Sequence, residues 1–392
     1  MTESDPPIVQ EFSLTVGGPF YQMLARLHLW KPEPNIAVRV SVLVLLTWAP
    51  LLGLCVLEGT AFGGKIQLPL LHDFSIWGRL LVALPLLIIA EIVIDPWIRR
   101  AIRTFVSSGI VREEDVPAFH LALTRIKRLR DSGLAELALV LLAAVPLFLV
   151  FDYEWASNGV SEWHGSTTRG LSPAGWWFAC VSSPIYRFIF FRWLWRYALW
   201  SALLYKIMKL NLNLRPAHPD TLGGMGFVLS TQQQFGILFA AFSAALAGQF
   251  STAILHFGMP LKDTRVPMVL FVLIAVLIVL GPLTILTPTL IETRRTGLAR
   301  YSQAARRLIS SFESKWIDGP AAAREVMLGN QDPSSLIDFI SSYNVVRGMQ
   351  IIPVSRQLVT HVAAQAAAPF LLVWLFATPL DEIVLRLLRV VI

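Results

Sequence analysis

From Met268 to Leu290 the chain is almost unbroken Val, Ile and Leu, without one ionisable side chain. A helix needs about 20 apolar residues to cross the ~30 Å hydrocarbon core of a bilayer. This run therefore constrains the fold more than any other stretch, and it has company at 36–57, 75–94, 134–151 and 235–257 and inside 175–210. With 55% hydrophobic and only 15% charged residues and a mean hydropathy of +0.60, the chain has too little polar surface for a soluble globule. Backbone groups in lipid must be satisfied within their own segment, so such runs read as helices. The expected fold is an all-α membrane protein with about six transmembrane helices, amphipathic cytoplasmic helices and a cytoplasmic amino terminus.

The polar stretches divide the chain. Residues 1–35 form a cytoplasmic or interfacial segment, with Phe20, Leu24, Leu27 and Trp30 at helical spacing before Lys31-Pro32-Glu33-Pro34. The segment suits the membrane surface or docking onto the protein's own helices. Spans one and two occupy 36–94, the second ending at Asp95-Pro96. A basic cytoplasmic helical hairpin follows over 95–133, spans three and four over 134–210, and a segment rich in Pro and Gly over 211–234. Spans five and six fill 235–291. The Ala, Ser and Gly of the fifth allow close helix approach and so predict the most protein-buried span; the sixth is expected to face lipid, bent at Pro282 and Pro288. Cytoplasmic helices are expected over 292–365. The apolar end, 366–392, reads as an amphipathic helix, a seventh span, or a re-entrant pair turning at Asp381 and Glu382.

Basic residues choose the orientation. The segments 1–35, 95–133, 205–232 and 292–366 together hold 22 Lys and Arg, against 4 in 58–74, 152–174 and 257–266. Short loops rich in Lys and Arg stay in the cytoplasm. The net charge of +7 is thereby read as a signal for topology and for anionic lipid, and nucleic acid is not an expected partner. Met1 to Ser13 is acidic and carries Pro6-Pro7, unlike a cleaved signal. Cys55 and Cys180 fall in apolar helices and read as small buried hydrophobes.

Arg187, Arg192 and Arg196 sit inside the apolar, tryptophan-laden stretch Gly175 to Leu210. An arginine at bilayer depth is costly unless it snorkels, meets an acid or faces water. Two readings stay open: an anion or substrate pathway, and a structural ion pair or interfacial belt with Glu91, Asp95 and Glu136 as partners. Downstream, Arg215, His218 and Asp220 could clamp an anion with the help of Gly223, Gly224 and Gly226, or Asp220 could cap the next helix as a plain turn. One His and one Asp make half a metal site at most. No phosphate loop, nucleophile elbow, His-Glu-x-x-His or Cys-x-x-Cys occurs, so neither a catalytic residue nor a metal or other cofactor is expected.

Four stretches resemble signatures of a family of uncharacterised bacterial inner-membrane proteins: Arg128-Leu129-Arg130-Asp131-Ser132, Arg192-Trp193-Leu194-Trp195-Arg196, the Pro-x-His-Pro-Asp-x-x-Gly-Gly-x-Gly-Phe of 216–227, and Pro379-Leu380-x-Glu382-Ile383. The resemblance implies a multi-pass protein of the bacterial cytoplasmic membrane and carries no activity with it.

The function expected from the residues is an oligomeric ion channel or small-solute pore with a preference for anions, built as a homo-oligomer. The alternatives are a membrane-embedded sensor or scaffold acting through its cytoplasmic helices, and a secondary transporter. An enzyme acting on lipid or phosphate through His218 and Asp220 ranks behind them.

Overall fold

The computed structural model describes residues 9, 12–26, 36–63, 66–149, 162–166, 170–318 and 330–377. They form an all-α protein whose one strand pair, Gly165–Ser166 with Gly170–Leu171, is two residues long. Five helical stretches are long and apolar enough to cross a membrane: Ile36–Leu57, Phe74–Ser107, Gly226–Phe257, Leu261–Trp316 and Arg356–Trp374. The chain thus has the build of a multi-pass membrane protein.

In chain order, α1 is Pro19–Arg26, α2 Ile36–Leu57, α3 the unbroken 74–107, α4 Val116–Arg130, α5 Gly133–Leu149 and α6 the unbroken 173–207. Then come α7 Gly226–Gln234, α8 Gly236–Phe257, α9 Leu261–Leu280, α10 Thr287–Trp316, α11 Gln331–Arg347 and α12 Arg356–Ala377.

Pro96 acts differently from expectation, whereas Pro282 interrupts its helix as expected. The second apolar helix does not stop at Asp95-Pro96; α3 runs on through Pro96 to Ser107 and buries Ile98, Ile102 and Phe105. Pro184 does not break α6. In both α3 and α6 a wide π-helical stretch, Trp77–Ala83 and Phe178–Ser182, comes just before a proline, Pro85 or Pro184. The wider turn accommodates the ring and the missing N–H without ending the helix. At Pro282 the outcome is the reverse: α9 ends at Leu280 and a 3-10 stretch, Gly281–Leu286, hands over to α10. The helix that carries the sixth apolar run begins before Met268, at Leu261, and beyond the 3-10 stretch a long polar helix pairs with α11.

The pairing of α10 and α11 rests on Tyr301 stacked on Phe339 (6.0 Å between centroids) and on Asp332, which accepts from Lys315 Nζ at 2.7 Å and Trp316 Nε1 at 3.1 Å.

Close packing centres on α8. Gly78 of α3 faces Ala244 and Gly248 of α8, and a Cβ on either glycine would run into the other helix's backbone. Small residues thus let these backbones touch. On its other side α8 lies along α12: Val362 and Gln365 meet Gly236, whereas Phe370 meets Phe250 and Phe271. At its far end α12 places Trp374 under Arg265 (5.2 Å), in the first turns of α9. So α12 is one continuous helix running parallel to α8 from its first residue, and it starts at Arg356, ten residues before the apolar segment expected at 366. Asp381 and Glu382 lie outside the described residues. By contrast α9 leaves Val266, Val269, Leu270, Leu273, Ile274, Leu277 and Ile278 exposed, an apolar face suited to lipid. Cys55 is buried, but Cys180 is exposed within the π-helical turn of α6 and is not the buried hydrophobe expected.

Candidate functional site

The site lies where the segment before α1 threads between helices. Phe12, Ser13, Leu14 and Thr15 are buried, and Gly17 (φ +138°) and Gly18 (φ +93°) turn the chain into α1. A Cβ at Gly17 would collide with the Arg130 guanidinium and the Asp131 carboxylate, so this position has room for glycine alone.

Three arginines read alternate carbonyls of this arm. Arg130 Nη1 donates to Ser13 O, Arg196 Nη2 to Thr15 O at 2.8 Å and Arg192 Nη2 to Gly17 O at 3.3 Å. Two carboxylates read its N–H groups. Asp95 Oδ1 accepts from Ser13 Oγ at 2.6 Å, Leu14 N at 3.2 Å and Thr15 N at 3.4 Å, and Glu136 Oε2 accepts from Phe20 N at 2.7 Å. The arm is bound mostly through its backbone and bends where Ser13 Oγ accepts from Thr15 N at 3.1 Å and Val16 N at 2.9 Å.

The same side chains pair with one another. Glu91 Oε1 accepts from Arg196 Nη1 at 2.8 Å, and its Oε2 lies 3.7 Å from Arg39, which joins α2, α3 and α6. Asp95 holds Arg99 at 2.6 Å one turn along α3, and Asp131 holds Arg130 at 2.7 and 2.8 Å. Arg196 also lies over the Trp193 ring at 4.9 Å, and Trp193 Nε1 donates to Leu87 O at 2.7 Å. Buried charges persist when paired and hydrogen-bonded, and Arg196 is both at 3% exposure. Arg192, at 9%, stacks over Phe20 at 5.3 Å. Beside these groups lies a cavity of about 20 Å³, lined by Gly17, Arg130, Glu136, Arg192, Trp195 and Arg196 among others. That is room for about one water molecule. Arg187 is half-buried on α6 and does not line it.

The second sequence candidate stands apart. Asp220 accepts at Oδ1 from Leu222 N (2.8 Å) and Gly224 N (3.1 Å), at Oδ2 from Gly226 N (2.8 Å), and pairs with His218 Nδ1 at 2.8 Å. The N–H groups that could face an external anion are thus taken by the chain's own carboxylate, which bonds the first residue of α7. Burial opposes ionisation of Asp220, but these backbone donors and His218 outweigh it and hold its carboxyl below the usual range. The loop around it is tied on several sides. Asn213 N donates to Ile110 O (2.7 Å), Asn211 N to Asp115 Oδ2 (3.1 Å) and Gln350 N to Thr221 O (2.8 Å), while Pro216 fills the space that a side chain at Gly297 of α10 would need. The Arg215 side chain is exposed beside it. Among the described residues no cluster of three or more His, Cys, Asp or Glu could hold a metal ion.

A third polar node was not anticipated. Gln232 is fully buried; its Oε1 accepts from Trp200 Nε1 at 2.9 Å, and its Nε2 donates to Val279 O at 2.7 Å and Tyr197 Oη at 2.8 Å. Tyr197 Oη in turn donates to Ile278 O at 2.6 Å. Ile278 lies four residues before Pro282, so its carbonyl lacks the usual helix donor. The signals in the sequence were a polar residue just before the fifth apolar run and a proline, Pro282, within the sixth. Another node is Asp73, which accepts from Trp163 Nε1 at 3.0 Å and Ser75 Oγ at 2.6 Å at the start of α3.

Comparison of the chain with family models, with curated proteins and with solved structures gave no match.

Proposed function

We propose that this chain is an embedded sensor or scaffold of a bacterial cytoplasmic membrane, coupling its membrane helices to a cytoplasmic helical hairpin. The observation that carries the reading is the joint at Pro282. There α9 passes into α10 through a 3-10 stretch, and two carbonyls in the last turn of α9, Ile278 O and Val279 O, accept from Tyr197 Oη of α6 and Gln232 Nε2 of α7. A movement of α6 against α9 would change the support of that joint, and the α10–α11 hairpin would follow. The Asp220 loop, tied to the α3–α4 connection, to α10 and to the residues before α12, supports the same reading as a second link.

In this proposal the amino terminus and the basic segments are cytoplasmic, in line with the 22 against 4 basic residues, and Arg294, Arg295, Arg300 and Arg306 of α10 meet anionic lipid or a partner there. Helices α2, α3, α5, α6, α8 and α9 cross the membrane, and α12, lying parallel to α8 as far as the start of α9, makes a seventh crossing. Spin labels at Leu129 and Ile337, both exposed, test the coupling. Tyr197→Phe is expected to shift or broaden the distance between them in liposomes; an unaltered distance would refute the role of the joint.

A second reading, an anion-preferring oligomeric pore, is favoured by the arginines gathered inside the helical bundle. Flux of chloride through reconstituted liposomes, lost in Arg192→Ala and Arg196→Ala, would select it. Flux no greater than in empty liposomes would select the scaffold.

A further inference from the structure

Arg192 is the one guanidinium of the arm cluster that the protein leaves under-supplied. It is nine-tenths buried, yet it makes a single hydrogen bond, the 3.3 Å contact with Gly17 O, out of five available N–H donors. Arg39, Arg99, Arg130 and Arg196 each lie within 4.0 Å of a carboxylate; among the described residues Arg192 does not. Among the described residues five guanidinium groups here stand beside four carboxylates, Glu91, Asp95, Asp131 and Glu136, so one positive charge is in excess among them. A buried excess charge is costly and calls for a counter-ion.

The cavity beside Arg192 supplies the place. At about 20 Å³ it has room for an occupant the size of a water molecule, and a halide is the anion nearest to that size. Trp195 lines it too, and its indole N–H is buried without a hydrogen-bond partner. An N–H donor can be matched by water or by an anion, but water would leave the charge uncompensated. Glu136, also in the lining, has one oxygen committed to Phe20 N, which keeps the carboxylate engaged on the arm.

We propose that the cavity holds one chloride ion against Arg192 and the Trp195 indole, completing the electrostatics of the site and locking the arm in place. This site does not depend on the coupling role proposed above, and its failure would leave that role standing.

The test is thermal unfolding of the full-length protein in detergent, exchanged into sodium gluconate and titrated with sodium chloride or bromide at constant ionic strength. The expected result is a saturable rise in Tm with either halide, on the order of 5 °C, abolished in Arg192→Gln and diminished in Trp195→Phe. No response, or an equal response to every anion, would overturn the proposal and assign the cavity to water. Should Arg192→Gln fail to fold, anomalous scattering from bromide-soaked wild-type crystals decides the matter. A peak within hydrogen-bond distance of Arg192 upholds the site, and its absence, or a peak only elsewhere, refutes it.

Discussion

Arg196 and Glu91 meet at 2.8 Å, and the arginine's second terminal nitrogen reaches Thr15 O at the same distance. One side chain of α6 therefore joins α3 to the arm that precedes α1. Removing Glu91 takes a carboxylate from two guanidinium groups, since Arg39 shares it. Glu91→Ala is expected to destabilise the protein by about 3–5 kcal/mol, the usual cost of leaving a buried charge unpaired. In a double-mutant cycle with Arg196→Ala the second substitution should cost much less than the first. Equal, additive losses in thermal unfolding would show that the pair is not coupled.

Gly17 holds a backbone conformation that a side chain adopts only with strain, and its missing Cβ leaves the space used by Arg130. Gly17→Ala should cost about 1–3 kcal/mol and release the arm before the rest of the fold. Limited proteolysis between residues 10 and 26 should accelerate severalfold, while α8 and α12 stay protected. Cleavage at the wild-type rate would contradict the binding of the arm.

The Asp220 loop predicts a pH dependence with a definite sign. The native carboxyl is held below its ordinary value of about 3.9. Its contribution is therefore fully present above that unfolded value and is lost as pH falls through the lower native one. Asp220→Asn should flatten this acid limb of the stability curve and cost about 1–3 kcal/mol at neutral pH, because one accepting oxygen becomes an NH2 donor and the other loses its charge. An acid limb identical in the variant would place its origin in another group.

Gln232 and Tyr197 should behave as a unit. Gln232→Leu leaves the buried Trp200 Nε1 without its acceptor and takes a donor from Val279 O, and Tyr197→Phe takes the donor from Ile278 O. Each is expected to cost about 1–3 kcal/mol, with the double variant costing less than the sum. Hydrogen exchange confined to the 278–286 region should quicken in both. Protection unchanged there would rule out the node as the brace of the joint.

The helices themselves were written in local apolar pattern. The run 36–57 is α2 end to end, 134–151 is close to α5, and the Ala, Ser and Gly at 240–248 marked the helix whose backbone touches a neighbour. Burial in lipid or protein needs apolar length, and length survives in a linear reading. Where proline entered, local rules held at Pro282 and failed at Pro96. Asp95-Pro96 was read as a stop but sits, like Pro184, in a continuous helix, because a freed carbonyl matters only if nothing else satisfies it.

Composition alone marked Arg192, Arg196, Glu91, Asp95 and Glu136 as residues in need of partners, since charge inside an apolar stretch must be matched. Which partner each one has was a matter of tertiary structure. The arm of residues 12–18 offers mainly backbone carbonyls and N–H groups, which nearly every residue possesses, so its docking left no pattern in the sequence. Likewise the same Asp220 could have served a ligand or its own turn; three N–H groups within 3.1 Å made it a turn. Apolar length specifies where a segment must be buried, whereas hydrogen-bond geometry between segments distant in the chain exists only once they are packed.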